Sequence, residues 1–70
     1  MQDVDKETQK LIIQQEIATH SALFYRLEIR HKVSKKIGAE EQVLKQIESD
    51  LEKTLMAIKA YEEELDALDN

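Results

Sequence analysis

The chain has 70 residues and a net charge of −5, with no cysteine, no proline and a single glycine, Gly38. The lack of cysteine excludes a disulfide-stabilised scaffold and a thiolate metal site, and a chain this short forms at most one small domain, over residues 1–70. Apolar residues make up 41% of the chain and good helix formers dominate, so the composition predicts an all-α protein. No apolar run could span a membrane and the first residues are acidic, so we expect a cytoplasmic protein that does not use a membrane.

A first helix is predicted over about residues 4–36. Asp3 or Asp5 can cap its beginning, because their side chains accept hydrogen bonds from the free N–H groups of a first turn. Two apolar stripes follow helical spacing, and we expect them to lie side by side as an arc too wide for one neighbouring helix to cover. The first stripe consists of Ile13, Ile17, His20, Phe24, Leu27 and His31. The second, named here the outer stripe, consists of Leu11, Ala18, Ala22, Tyr25, Ile29 and Val33.

Gly38 is predicted to end this helix and turn the chain, over about residues 37–39. Glycine adopts the left-handed conformation of a helix C-terminal cap without strain. Lys36 precedes it and Glu41 follows it, and these are the charges favoured at the end of one helix and the start of the next. A single long helix, with a shift in its repeat at Gly38, is the alternative.

A second helix is predicted over about residues 39–67, with Asp69 and Asn70 frayed. Its apolar residues alternate spacings of three and four, the heptad pattern of helices that pack along one seam. If the chain folds back as an antiparallel hairpin about Gly38, residue i lies opposite residue 76−i. The predicted intrachain seam places Ile13, Ile17, Phe24 and Leu27 against Leu44, Ile47, Leu51, Ile58 and Leu65. The pattern leaves open which stripe of the first helix forms this seam and which faces a partner.

Two helices of this length cannot enclose a core. We therefore expect the hairpin to complete its core by association, either as a homodimeric four-helix bundle or on another helical protein. The outer stripe is the predicted interaction surface, with Tyr25 as its anchor because tyrosine is favoured in interface hot spots. The predicted function is that of a small acidic protein–protein interaction module: an adaptor, a small chaperone, an assembly subunit or an inhibitor.

Charge suggests a second class of function. Residues 1–37 carry a net +2 and residues 38–70 a net −7, so the acidic half could mimic nucleic acid and inhibit a basic partner, or belong to a nucleic-acid-associated regulator. The first helix has a basic cluster, which consists of Arg26, Arg30, Lys32, Lys35 and Lys36. We expect acidic residues of the second helix to neutralise this cluster, and no aromatic residues are interleaved with it, so nucleic acid is not favoured as a partner.

Glu28 and His31 are the weak metal-site candidates, because Glu-x-x-His on a helix can place both side chains on one ion. Arg30 opposes a dication there, so a carboxylate–histidine metal-binding bundle is the weakest alternative, and no cofactor is expected. His20 lies among apolar residues and is interpreted as a hydrogen-bonded interior or interface residue, whose protonation would weaken assembly. No nucleophile with its base and no Gly-rich phosphate loop is found, so the sequence does not predict an enzyme.

Overall fold

The computed structural model describes residues 4–69, which form two α-helices packed against each other. Helix α1 spans Lys6–Lys36 and helix α2 spans Glu41–Asp69. The predicted all-α helical hairpin is confirmed, and the alternative of a single long helix is wrong because the chain reverses after Lys36. Neither helix of this described part is long and apolar enough to span a membrane.

Two contacts between the helices define their antiparallel register. Lys10 Nζ lies 2.7 Å from Asp69 Oδ1, and His31 Nε2 donates a hydrogen bond of 2.8 Å to Glu48 Oε2. The residue numbers in both pairs sum to 79, whereas the predicted register gives 76. Part of the difference arises because the connection spans residues 37–40, so the two helix ends that flank it, Lys36 and Glu41, sum to 77.

Asp5 caps the start of α1. Its Oδ1 accepts a hydrogen bond of 2.7 Å from the backbone N–H of Thr8, as expected of an N-cap aspartate. This bond stabilises the ionised carboxylate and lowers the pKa of Asp5 below its ordinary value. The helix therefore begins at Lys6, two residues after the predicted start, and Asp3, the other predicted cap, lies outside the described residues.

Gly38 forms the predicted left-handed cap at the end of α1. Its φ is +73°, a region that other residues adopt only with strain. The N–H of Gly38 donates to the carbonyl of Lys35 at 3.2 Å, and the N–H of Ala39 donates to the carbonyl of Ser34 at 2.9 Å. These two bonds are those of a Schellman motif, which satisfies carbonyls that the end of a helix would otherwise leave without partners. The cap fixes where α1 stops and the chain reverses.

Glu40 precedes the first turn of α2. Its carbonyl accepts hydrogen bonds from the N–H groups of Val43 and Leu44, at 3.0 and 3.2 Å. The helix begins at Glu41 rather than at residue 39, because residues 39 and 40 are held by the caps on either side of the turn.

The last turn of α2 extends to Asp69, two residues beyond the predicted end. The predicted fraying of Asp69 is wrong, because Lys10 of α1 contacts its carboxylate. The same contact lowers the pKa of Asp69 and raises the pKa of Lys10, since each charge stabilises the other. Asn70, the other residue expected to fray, lies outside the described residues.

The contact between the helices is a narrow seam rather than an enclosed core. Among residues 4–69, the buried apolar side chains are Leu27 and Ile47, which are 4% and 6% exposed. Ser34 and Thr54 are buried beside them, and the Thr54 hydroxyl donates to the carbonyl of Asp50. The other residues of the predicted seam are half-buried: Ile13, Ile17, Phe24, Leu44, Leu51, Ile58 and Leu65. One neighbouring helix is thus not enough to remove these side chains from water.

Candidate interaction surface

The outer stripe lies on the side of α1 that faces away from α2. Tyr25 is 63% exposed and Ile29 is also exposed, although each is only two residues from the buried Leu27. Residues two apart on an α-helix are separated by about 200° around its axis, so they point to opposite sides. The expectation that the two stripes lie side by side is therefore wrong: they occupy opposite sides of α1.

The outer stripe runs along the whole of α1. Leu11 is 59% exposed near its beginning, and Ala18 and Ala22 are exposed in its centre. Val4, which precedes the extended N-cap residue Asp5, is also exposed but lies outside the helix, so helical spacing does not place it on the stripe.

An open groove of about 430 Å³ lies at the turn end of the outer stripe. Its apolar walls come from Tyr25, Ile29 and Val33, and two arginines rise beside them, Arg26 and Arg30. A second groove of about 460 Å³ adjoins the first, because both are lined by Arg30 and Ser34. The remaining lining of the second groove comes from the connection and from α2: Glu40, Gln42, Val43, Gln46, Ile47 and Asp50. The two grooves together give this end of the hairpin an open surface that is apolar along α1 and largely polar where the connection and α2 line it.

The basic cluster of α1 forms no ion pairs with α2. Within residues 4–69, none of its five members lies within 4.0 Å of a carboxylate, so the expected neutralisation by contact is wrong. Arg30 lines the second groove together with Glu40 and Asp50 but pairs with neither. For two of the lysines the physical reason is their position. Lys32 follows Tyr25 by seven residues and Lys36 follows Ile29 by seven, so both cations continue the outer stripe and point away from α2. The outer stripe therefore ends in unneutralised positive charge.

The hairpin exposes more surface than a compact protein of its mass. Its accessible surface is 5703 Å², whereas the scaling for compact monomers gives roughly 4,500 Å² for 8.2 kDa. The elongated shape, 51 by 22 by 14 Å, accounts for the difference of roughly 1,200 Å². A standard protein interface covers about 800 Å² on each partner, so the additional accessible surface is large enough for one such interface.

The two weak metal candidates are not brought together with further ligands. His31 is half-buried and bonds to Glu48 of α2, while Glu28 is exposed. Among residues 4–69, no group of three or more His, Asp or Glu side chains is placed to hold a metal ion. The structure thus gives His31 a role in joining the two helices, through one of the acidic residues that antiparallel folding was expected to bring near it.

His20 lies in the seam near the middle of the hairpin. Its Nδ1 is 2.7 Å from the backbone carbonyl of Glu16, and its ring centroid is 5.2 Å from that of Tyr61 on α2. The carboxylate of Glu16 opposes a second negative charge beside it and so raises the pKa of Tyr61. His20 is thus a hydrogen-bonded seam residue that packs on an aromatic ring, on the side of α1 away from the outer stripe.

Comparison with protein-family models, curated protein sequences and solved structures finds no match to this chain. Its function is therefore inferred from its own residues and their arrangement.

Proposed function

We propose that this protein is a helical protein–protein interaction module that binds through the outer stripe of α1. It acts as an adaptor, small chaperone, assembly subunit or inhibitor, and its partner is another helical protein or a second copy of the chain. The observation that carries the proposal is the exposure of six apolar residues along one side of α1, opposite the side that packs on α2. An apolar face of this length, interrupted between Leu11 and Ala18 by the exposed Gln14 and Gln15, has no use within the hairpin, and such faces mark interaction sites.

Helix-on-helix packing is the mechanism that fits the surface. A partner helix laid along the outer stripe would bury Leu11, Ile29 and Val33 against its own apolar residues. Tyr25 is suited to be the anchor because it is large, exposed and set beside the groove formed with Arg26 and Arg30. The charges at the edge of the groove would select the orientation of the partner more than the strength of binding.

Thiol labelling can test this proposal, because the chain has no cysteine of its own. One variant, A22C, places a thiol in the centre of the outer stripe. A matched control, A60C, changes the same residue type at an exposed position of α2. Ala60 is two residues from Ile58 of the seam and so lies on the outer side of α2. The labelling rate of each thiol by a maleimide is measured in the native cells and in dilute purified protein.

We expect the A22C thiol to react at least about tenfold more slowly in the cells than in dilute solution, because a bound partner excludes the reagent. The A60C thiol should react at similar rates in both conditions. If both thiols react equally fast in cells and in solution, at all protein concentrations, the outer stripe is not a binding surface and the proposal fails.

A further inference from the structure

The central and flanking residues of the outer stripe are arranged symmetrically about its centre, whereas Tyr25 and Val33 have Gln15 and Glu7 at the corresponding positions. Two small residues, Ala18 and Ala22, occupy the middle, and larger apolar residues follow on both sides, with Leu11 before them and Ile29 after them. If two α1 helices lie antiparallel so that residue i faces residue 40−i, Ala18 of each copy faces Ala22 of the other. Leu11 of each copy then faces Ile29 of the other. A two-fold interface requires such a self-complementary surface.

We propose that the outer stripe binds a second copy of this chain, with the two α1 helices antiparallel and crossing at Ala18 and Ala22. This inference rests on the proposed function and names its partner. The small side chains at the centre let the two helix axes approach to about 8 Å, the closer end of helix packing distances. The large apolar side chains on either side then fill the space that opens away from the crossing.

Charge favours the antiparallel orientation. Glu7, near the start of α1, has a side chain that is 85% exposed, and Asp5 stands beside it. At the other end, Lys32 and Lys36 continue the stripe and lie outside the ion pairs of the described residues. Antiparallel pairing brings Glu7 of each α1, which also lies 3.9 Å from Lys10 of its own helix, to Lys32 and Lys36 of the other copy, twice in each dimer. Parallel pairing would instead place the lysines of the two copies side by side, where like charges repel.

The position of the stripe also determines the shape of the dimer. Because the stripe lies opposite the seam, the four helices would stand in a row, with the two α1 helices inside and the two α2 helices outside. The homodimeric four-helix bundle expected from the sequence would instead enclose one shared core. The row leaves the second groove, at Val43 and Asp50, open on each copy.

Sedimentation velocity of the wild-type protein and of two arginine variants tests the interface. We expect the wild type to sediment as a dimer at about 100 µM, a concentration at which ordinary homodimers are assembled. A22R should raise the dissociation constant at least about 100-fold, because it buries two unpaired charges at the crossing. A60R makes the same change on the outer side of α2 and should leave the dimer intact. Arginine is a good helix former, so circular dichroism should show unchanged helix content in both variants.

Disulfide cross-linking tests the orientation. An equal mixture of A18C and A22C proteins should form the mixed disulfide on mild oxidation, because the antiparallel register brings these two positions together. Predominant A18C–A18C and A22C–A22C products would indicate parallel pairing and overturn the orientation. A charge exchange provides a second measurement: E7K should weaken the dimer roughly fivefold, and E7K/K36E should recover most of the loss.

The outcomes separate this inference from the proposed function. A wild type that remains a monomer at about 1 mM overturns self-association. If the A22C thiol is still protected in cells in that case, the outer stripe binds a different helical protein and the proposed function stands. If A60R dissociates the dimer and A22R does not, the self-association surface is on α2 and this inference is wrong.

Discussion

The two sides of α1 are both apolar, and only one of them is covered. Leu27 is 4% exposed on the inner side, whereas Tyr25, two residues earlier, is 63% exposed on the outer side. The outer side of α2 carries mainly charged residues instead, among them Lys45, Glu52 and Lys59, all exposed. Leu55 and Met56 are also exposed on α2, but they form no stripe along the helix, so α2 is suited to one neighbour and α1 to two. This asymmetry is the reason for assigning binding to α1.

Replacing one residue on each side of α1 should give the largest change in the free energy of unfolding, and it tests whether only the inner side is covered. L27A removes a buried side chain from the seam and should lower the free energy of unfolding by about 2–4 kcal/mol. I29A removes an exposed side chain from the outer stripe and should change it by less than about 1 kcal/mol in dilute, monomeric protein. Urea unfolding followed by circular dichroism measures both. Equal losses would mean that the inner and outer sides have been assigned incorrectly.

The Gly38 turn determines which side of α1 meets α2, so altering it should have the next largest effect. G38A places a side chain on a residue with φ of +73° and should cost about 1–2 kcal/mol of stability. A Cβ atom there would meet nothing within 4 Å, so the loss comes from the backbone conformation alone. G38N should lose less, since asparagine tolerates this conformation better. An unchanged G38A midpoint in urea would show that the cap does not hold the turn.

The His31–Glu48 contact should contribute less, because the carboxylate of Glu48 is partly exposed. E48Q keeps the shape and removes the charge, and we expect it to lower the free energy of unfolding by about 0.5 kcal/mol at neutral pH. E52Q removes an exposed carboxylate on the outer side of α2 that makes no ion pair within residues 4–69, and it serves as the control. A loss in E52Q that matches the loss in E48Q would mean that the contact between the helices contributes nothing.

Acid should weaken the hairpin by a small amount. The pKa values of Asp5 and Asp69 lie below their ordinary values, through the Thr8 hydrogen bond and the Lys10 contact. A group with a lowered pKa in the folded state stabilises the fold above its unfolded pKa, and that contribution is lost as the pH falls through its folded pKa. The urea concentration at the unfolding midpoint should therefore decrease when the pH is lowered below about 4. D69N should remove part of this dependence, and an identical acid profile for D69N and wild type would contradict the assigned role of Asp69.

Some of this structure could be predicted from the sequence because it depends on local physics. Helical periodicity gave the two helices, the unique glycine gave the cap at Gly38, and Asp5 was one of two expected N-caps. The extent of the turn could not be obtained in this way, since it depends on which carbonyls accept hydrogen bonds from the N–H groups of Gly38 and Ala39. Part of the error in the predicted register of the two helices follows from the length of that turn.

The outer stripe was predicted from helical spacing, and its angle to the seam was predicted incorrectly. The six residues of the outer stripe are exposed, but opposite the seam rather than beside it, which changes the geometry of any assembly. The expected neutralisation of the basic cluster failed because opposite net charges on two helices do not determine where long side chains point. Arg26 and Lys32, for example, are exposed and make no ion pair within residues 4–69, although α2 carries most of the negative charge.

Methyl NMR of the isoleucines observes both sides of α1 in the wild-type protein in one experiment. It therefore tests directly whether the outer stripe associates with a second copy. Ile29 reports on the outer stripe, while Ile17, Ile47 and Ile58 report on the seam. Between about 10 µM and about 1 mM, the range in which a weak dimer assembles, the signal of Ile29 should shift and those of the seam should stay in place. A seam signal that shifts while Ile29 stays fixed, or an Ile29 signal that is constant over the whole range, would contradict self-association through the outer stripe.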